Sequence, residues 1–462
     1  MNLARMLRQR AEAGRPVRVG VIGAGKFSSM FLAQARTTRG LHVVGVADLV
    51  PERARQALKN TGWGVPGQIA KNFSEALAAN KTVVTDDANA LIDSDIEVLV
   101  DITGNPAAAT RHILRAFERG KHVVNVTVEA DVLVGPLLAE RAKKAGVVYA
   151  LAYGDQPALV CEMVDWAEAC GFRVVAAGKG TKYLPGYHQS TPDTVWTHFG
   201  ITPEHAKAAG MNPQMFNSFV DGTKSAIEMA AISNATGLNA PRDGLAFPPC
   251  GFHDLPFILR PRAVGGVLDE PGLVEVVSSH EPDGRPVVND LRWGVYVVIE
   301  AMDADARGDY TRSCFLDYHL IHDPSRRYAA MYRGCHLVGM ELGISIAAAA
   351  LRKEATGFPS EFRSDVVATA KKALKAGDTL DGEGGYTVYG KIMRAEDSLA
   401  RRGLPLGLAH GIKLVRPVAQ GATVSWDDVA IEDNDVVRLR REMEQAFAPT
   451  SALKGARKSA AA

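Results

Sequence analysis

The chain has 462 residues, with 53 Lys plus Arg against 52 Asp plus Glu and a formal net charge of +1 at pH 7. So even a balance removes the electrostatic footprint of a nucleic-acid or anionic-membrane binder, and no apolar run approaches the ~20 residues of a membrane span. The length suffices for two or three domains with a large core. No secretory segment opens the sequence, and its five cysteines contain no C-x-x-C pair. A cytoplasmic protein is expected, with buried free thiols, Cys161 and Cys170 sharing one helix.

In chain order, "MNLARMLRQRAEAGR" predicts a short amphipathic helix. Strands are expected at 17–23, 42–48, 98–103, 122–127 and 147–154, β-rich apolar runs with little alternation, as strands covered on both faces require. Helical patterns ended by Gly120 and Gly146 lie between them. Repeated strand–helix units predict an α/β fold, a doubly wound parallel Rossmann sheet over 1–155. Beyond it, a helix over 156–170, the strand "RVVAAG", a Pro/Gly/His-rich region, the helix "DGTKSAIEMAAISNATG" and strands at 273–279 and 293–301 predict an α+β substrate domain over 156–358. The run "CHLVGMELGISIAAAALRK" (335–353) predicts one long apolar helix that packs back on the first domain. From 359, "AKKALKAGDTL" (370–380) and "LVRPVAQGATV" (414–424) align on Lys372/Arg416, Leu374/Val418, Gly377/Gly421 and Thr379/Thr423. Two related hairpin-like units predict a small β-rich C-terminal domain over 359–462, ending in a disordered tail. The apolar helix and the β-module offer surfaces for a homodimer.

"VGVIGAGKFSSMF" puts Gly23 and Gly25 between a strand and a helix, and the next strand ends in Asp48. This is the spacing of a dinucleotide fingerprint: Gly23 for the turn, Gly25 for backbone approach to a pyrophosphate, Asp48 for ribose hydroxyls. Arg53 and Arg55 could instead meet a 2′-phosphate, so NADPH and NADH both remain open. Thr103, Gly104 and Asn105 of "DITGNP" could border the nicotinamide ribose, and Asn105 reads equally as a helix N-cap.

Four polar stretches could converge beyond the carboxyl ends of the strands: "VTVEAD" with Glu129, "YGDQPA" with Asp155, "GKGTKY" with Lys179, Thr181 and Lys182, and "DGTKSAIEM" with Lys224, Ser225 and Glu228. Three lysines near His188 and Ser190 suit an anion cradle for phosphate, or a carboxylate-binding, proton-transferring pair. Glu129 and Asp155 could hold a hard divalent cation through oxygen, and Glu129 could equally cap the helix that follows.

With "VRVGVIGAGKF", "TGNP", "GKHVVNVTVEAD", "LAYGDQPAL", "AAGKGTKYLPGYHQSTPDTVW", "DGTKSAIEM" and "LPLGLAH", the sequence resembles the 1-deoxy-D-xylulose 5-phosphate reductoisomerase-like proteins. That branch is related to homoserine dehydrogenases and carries a C-terminal SAF-like module. The resemblance implies NADPH-dependent conversion of 1-deoxy-D-xylulose 5-phosphate to 2-C-methyl-D-erythritol 4-phosphate in isoprenoid precursor synthesis. It carries the cofactor contacts on to Lys26 and Phe27. It implies Lys179 or Lys182 for carbonyl polarisation or proton donation, and Lys224 with Ser225, supported by Thr181, His188 and Ser190, for the phosphorylated sugar. Glu129 and Asp155 would then orient substrate hydroxyls or bind Mn²⁺ or Mg²⁺. A homoserine-dehydrogenase-like enzyme acting by simple hydride transfer on a sugar acid, polyol phosphate or amino-acid aldehyde is the alternative, and a non-catalytic dinucleotide- or sugar-binding sensor is a further one.

Overall fold

The computed structural model describes residues 2–63, 67–302 and 309–447. The predicted disordered tail lies outside them. The chain divides into two compact units: one runs to Leu159 and takes in Leu337–Pro359, and the other comprises Val160–His336 and the chain from Ser360 onward.

The first unit is built on β1 (Val17–Ile22), β2 (Leu41–Ala47), β3 (Val83–Thr85), β4 (Val98–Asp101), β5 (His122–Asn125) and β6 (Tyr149–Leu151). All pair in parallel, in the order β3-β2-β1-β4-β5-β6. This is the doubly wound Rossmann order. Val19, Val21, Val98, Leu99, Val100, Val123 and Val124 are fully buried, because helices cover both faces of the sheet. Only β3 escapes the sequence reading; three residues carry no usable periodicity.

Only the second half of the predicted helix 335–353 is helical, and it is irregular. α-Helical turns cover only Gly343–Ala347, and a wider five-residue π turn, Ala348–Arg352, follows and stops at Lys353 with φ +58°. The obstacle lies upstream at Gly339, where φ is +75° and an added Cβ would fall 2.8 Å from the Phe27 carbonyl oxygen. Leu342, Ile346 and Ala347 bury against Val17, Phe31 and Leu32 in the core of this unit.

In the second unit, β7 (Arg173–Thr181), β8 (Leu273–Ser278), β9 (Val295–Glu300), β10 (Ile321–His322) and β11 (Tyr328–Arg333) form a mixed sheet ordered β10-β11-β9-β7-β8. β7 lies parallel to β8 and antiparallel to β9. The strand predicted to stop at "RVVAAG" therefore runs on through the lysine–glycine stretch, and both glycines have a reason to be there. A Cβ on Gly178 would lie 1.9 Å from the Glu275 carbonyl oxygen, and one on Gly180 would lie 2.0 Å from that of Leu291. Neighbouring backbone presses on β7 where only hydrogen can stand. Gly180→Ala is expected to lower stability by about 1–3 kcal/mol, as overpacking against backbone does; an unchanged urea midpoint would contradict this.

The C-terminal residues of the same unit pair β12 (Ser364–Ala370) with β14 (Val388–Arg394), and β13 (Thr379–Asp381) with β15 (His410–Leu414) and β16 (Val429–Ala430). The sequence repeat appears as a local pseudo-twofold. Leu374 and Val418 exchange both backbone hydrogen bonds; Gly377 N–H donates to the Leu414 carbonyl, and its counterpart Gly421 donates to that of Ala370. Each repeat thus supplies the other's missing strand partner.

None of the five cysteines is in a disulfide, and only Cys250 is buried, while Cys170 and Cys335 are exposed. Cys170 falls just past its helix, Gln156–Ala169, outside the covered face. Among the described residues no helix is long and apolar enough to cross a membrane.

Candidate functional site

The dinucleotide fingerprint takes its shape from close backbone approach. Gly23 has φ +102°, and an added Cβ would fall 2.6 Å from the Ile102 carbonyl oxygen at the end of the neighbouring strand β4. A Cβ on Gly25 would meet nothing within 4 Å. Gly25 is also the N-cap of the helix Lys26–Ala35, whose first amides receive no side-chain cap. An open helix N-terminus with bare N–H groups is what a pyrophosphate requires, so these residues fit a dinucleotide. Lys26 is exposed and Phe27 half-buried in the first turn.

Asp48 directly follows β2 and braces the turn: Oδ2 accepts from Ala24 N–H at 2.9 Å and Oδ1 from Val50 N–H at 2.8 Å. Of the two nearby arginines, Arg55 pairs with Glu52 at 3.6 Å, while Arg53 is exposed. At the end of β4, Thr103 donates its hydroxyl to Asp101 Oδ1 at 2.7 Å, and Gly104 N–H donates to Thr127 Oγ1 at 3.1 Å. Asn105 caps the helix Pro106–Glu118 through Ala108 N–H at 2.9 Å. Sequence reading missed the residue that organises this loop. Asp101 is fully buried and also takes Thr127 Oγ1 at 2.8 Å and His112 Nδ1 at 2.8 Å.

Glu129 is half-buried in the first turn of the helix Val128–Ala145. Asp155 is buried, its Oδ1 accepting from Gln156 N–H at 3.0 Å. Among the described residues no group of three or more His, Cys, Asp or Glu could hold a metal ion, so the divalent-cation site expected at Glu129 and Asp155 is not supported.

The structure gives two of the three cradle lysines different tasks. Lys179 is buried inside β7, and its ammonium pairs with Glu228 of the helix Thr223–Thr236. Lys182, one residue past β7, is half-buried and donates to the His198 carbonyl at 2.9 Å. Among the described residues it has no carboxylate partner. Burial, and secondarily the Arg292 guanidinium, hold its ammonium below the ordinary lysine range. Lys224 is half-buried one turn ahead of Glu228, Ser225 is buried, and Thr181 is half-buried at the strand end.

His188 and Ser190 belong to a packed knot. His188 Nδ1 lies 2.7 Å from the Asp221 carbonyl, and its ring stacks on Tyr389 at 4.5 Å. Burial lowers the His188 pKa. Ser190 Oγ donates to Asn217 Oδ1 at 2.6 Å, and its carbonyl accepts from the buried Lys371 ammonium at 2.7 Å. Lys371 also pairs with Asp221 at 2.7 Å. This second buried ammonium comes from the C-terminal residues, where no sequence motif announced it.

Residues 17–125 match the oxidoreductase family, NAD-binding Rossmann fold (GFO/IDH/MocA), and residues 154–342 match the catalytic domain of oxidoreductase DRL. Two stretches of the chain thus resemble oxidoreductase domains, one an NAD-binding Rossmann fold and the other a catalytic domain. No curated protein matches the chain by sequence. Similar solved structures include three oxidoreductases. A biliverdin reductase from Synechocystis shares 19% identity over 36% of this chain and 48% of its own, with a TM-score of 0.25. A 3-ketoreductase from Actinomadura kijaniata in complex with NADP shares 19% over 37% and 50%, with a TM-score of 0.26. A myo-inositol dehydrogenase from Corynebacterium glutamicum shares 14% over 39% and 48%, with a TM-score of 0.27. The chain thus spans about half the length of each.

These findings correct the resemblance drawn from the sequence. The Rossmann domain matches GFO/IDH/MocA oxidoreductases and the second match is to an oxidoreductase catalytic domain, and neither match supports a deoxyxylulose-phosphate reductoisomerase or a homoserine dehydrogenase. Glycine turns of this kind mark the dinucleotide half of many oxidoreductases. They do not carry a substrate.

Proposed function

We propose that the protein is an NADPH-dependent carbonyl reductase, or in reverse an alcohol dehydrogenase, of a small hydroxylated substrate, with Lys182 as proton donor. The observation that carries this reading is the state of Lys182: a half-buried ammonium with depressed pKa and one carbonyl partner. An ammonium has three N–H donors, so Lys182 can still reach a substrate oxygen, and its lowered pKa makes it a readier proton donor than an ordinary lysine. When bound, the reduced nicotinamide supplies the hydride to the carbonyl carbon. Lys182 gives the carbonyl oxygen its proton and is reprotonated from solvent.

The glycine turn, Gly23 and Gly25, would take the pyrophosphate. Preference for the 2′-phosphate is supported by Asp48, whose two oxygens already bind Ala24 and Val50, and by exposed Arg53, which has no carboxylate partner among the described residues.

Lys182→Ala is expected to lower kcat by about 10²-fold or more while NADPH binding, followed by quenching of intrinsic fluorescence, stays unchanged. Unchanged kcat on every carbonyl substrate that turns over removes Lys182 from the chemistry.

A further inference from the structure

Three basic side chains, those of Lys182, Arg292 and His280, come together at one edge of the second unit. In the β7–β9 ladder Lys179 stands opposite Val295, and Gly180 N–H continues it by donating to the Gly294 carbonyl at 3.1 Å. There the partner chain turns, Gly294 N–H donating to the Leu291 carbonyl at 2.9 Å, and the turn lies over the end of β7: a Cβ on Gly180 would stand 3.0 Å from the Arg292 amide nitrogen. In the parallel β7–β8 ladder Thr181 stands opposite Ser278, and Ser279 N–H donates to the Thr181 carbonyl at 2.8 Å. His280 is therefore one residue from the rung beside Lys182. Ser278 Oγ lies 2.8 Å from the carbonyls of both Tyr183 and His280, within reach of donating its one hydrogen to either, which ties the two strand ends together.

We propose that Arg292 and His280, on either side of Lys182, form an oxyanion subsite that takes a phosphate or carboxylate group of the substrate. This rests on the oxidoreductase reading above and names its substrate class. Arg292 has no carboxylate within ion-pair distance among the described residues; its guanidinium lies 5.1 Å from the Trp293 ring centroid, and Trp293 is exposed. The nearby acid Asp290 is committed through Oδ1 to Arg292 N–H at 2.8 Å. Ser279 Oγ lies 2.9 Å from His280 Nδ1, which fixes the ring.

The electrostatics of the cluster agree. Burial lowers the His280 pKa, Lys182 and Arg292 lower it further, and Asp290 opposes them. His198, whose carbonyl holds Lys182, is lowered by burial and then by Lys182; the Tyr187 hydroxyl is raised by burial against the pull of Arg292. Lys182 and Arg292 repel one another, Asp290 offsets only part of that repulsion, and an oxyanion lowers its cost. A guanidinium supplies the planar donor pair that phosphate and carboxylate oxygens accept. The anion held there would place a neighbouring carbonyl beside the Lys182 ammonium.

The test titrates the full-length protein with inorganic phosphate and, separately, with acetate, while the His280 and His198 ring resonances are followed by NMR. Phosphate or acetate is expected to raise the His280 pKa in the wild type, with binding weakened about tenfold in Arg292→Gln and largely retained in Arg292→Lys. The stronger of the two ligands tells a phosphate site from a carboxylate site. A His280 pKa that neither anion moves overturns the proposal. So does an Arg292→Gln variant that loses NADPH affinity about tenfold while NADH affinity stands, because the cations would then serve the cofactor's own phosphate. Neither readout needs turnover, so failure of the subsite is distinguishable from failure of the reductase reading.

Discussion

Replacing Glu228 with Gln is expected to destabilise the protein by about 3–5 kcal/mol, the cost of leaving one buried charge without its partner. Lys179 sits in the β7 ladder between two strands, and Glu228 sits on a helix whose Ala226, Ile227, Met229, Ala230 and Ala231 are all buried. Neither group can turn to water: the Lys179 side chain is 7% exposed and that of Glu228 is 3%. The Coulombic gain of such a pair roughly repays its desolvation, so the pair adds little against an apolar replacement while its rupture costs a great deal. Lys179→Met combined with Glu228→Leu should therefore recover most of the loss. Urea unfolding of the two single variants and the double variant measures the coupling. Single variants within about 1 kcal/mol of wild type would show that water reaches the pair.

That pair also shows where sequence reading stops. A lysine between two glycines after an apolar run resembles a strand end opening on a cleft. Yet Gly178 and Gly180 are small because the Glu275 and Leu291 carbonyls press against β7, and the strand simply continues with Lys179 inside it. Lys182, three residues on, is the lysine at the edge. The dinucleotide turn was legible because everything it needs lies within one βαβ unit: Gly23, Gly25 and Asp48 sit at fixed spacing along adjacent elements. Arg292 and His280 were not, because they join Lys182 only through distant parts of the chain, the end of β8 and the turn before β9, that fold beside β7. The β-hairpin repeat was visible as spacing, but nothing in the spacing said that each copy would pair with the other. Asp101 and Asp131 look alike in sequence, single acids in apolar runs. Only packing distinguishes a carboxylate ringed by donors from one with almost none.

Asp131 is that second carboxyl, and its isolation makes stability depend on pH. It lies in the helix Val128–Ala145, fully buried, with Oδ1 accepting from the Tyr149 hydroxyl at 2.9 Å and Oδ2 without a hydrogen-bond partner. Gly135 leaves it room, since a Cβ there would fall 2.9 Å from Oδ1. Burial outweighs the Tyr149 hydrogen bond and raises the carboxyl pKa from 3.8 to about 7. Below 3.8 both the folded and unfolded chains hold the proton, and pH has no effect through this group. Between 3.8 and about 7 the folded chain keeps a proton that the unfolded chain has released, so stability falls as pH rises, and above about 7 the full penalty is present. Glu275, raised by burial to about 7, acts in the same direction. His122 acts in the opposite one: burial and the Lys353 ammonium lower its pKa from 6.5 to about 4, so its neutral folded form gains stability as pH rises from about 4 to 6.5. Asp131→Asn matches the protonated carboxyl in shape and cannot ionise. Relative to wild type it is expected to gain on the order of 2–4 kcal/mol between pH 4 and pH 8, read from urea midpoints at each pH. A difference between the two proteins that stays constant across that range would mean that Asp131 titrates as an ordinary carboxyl, with solvent reaching Oδ2 in the folded state.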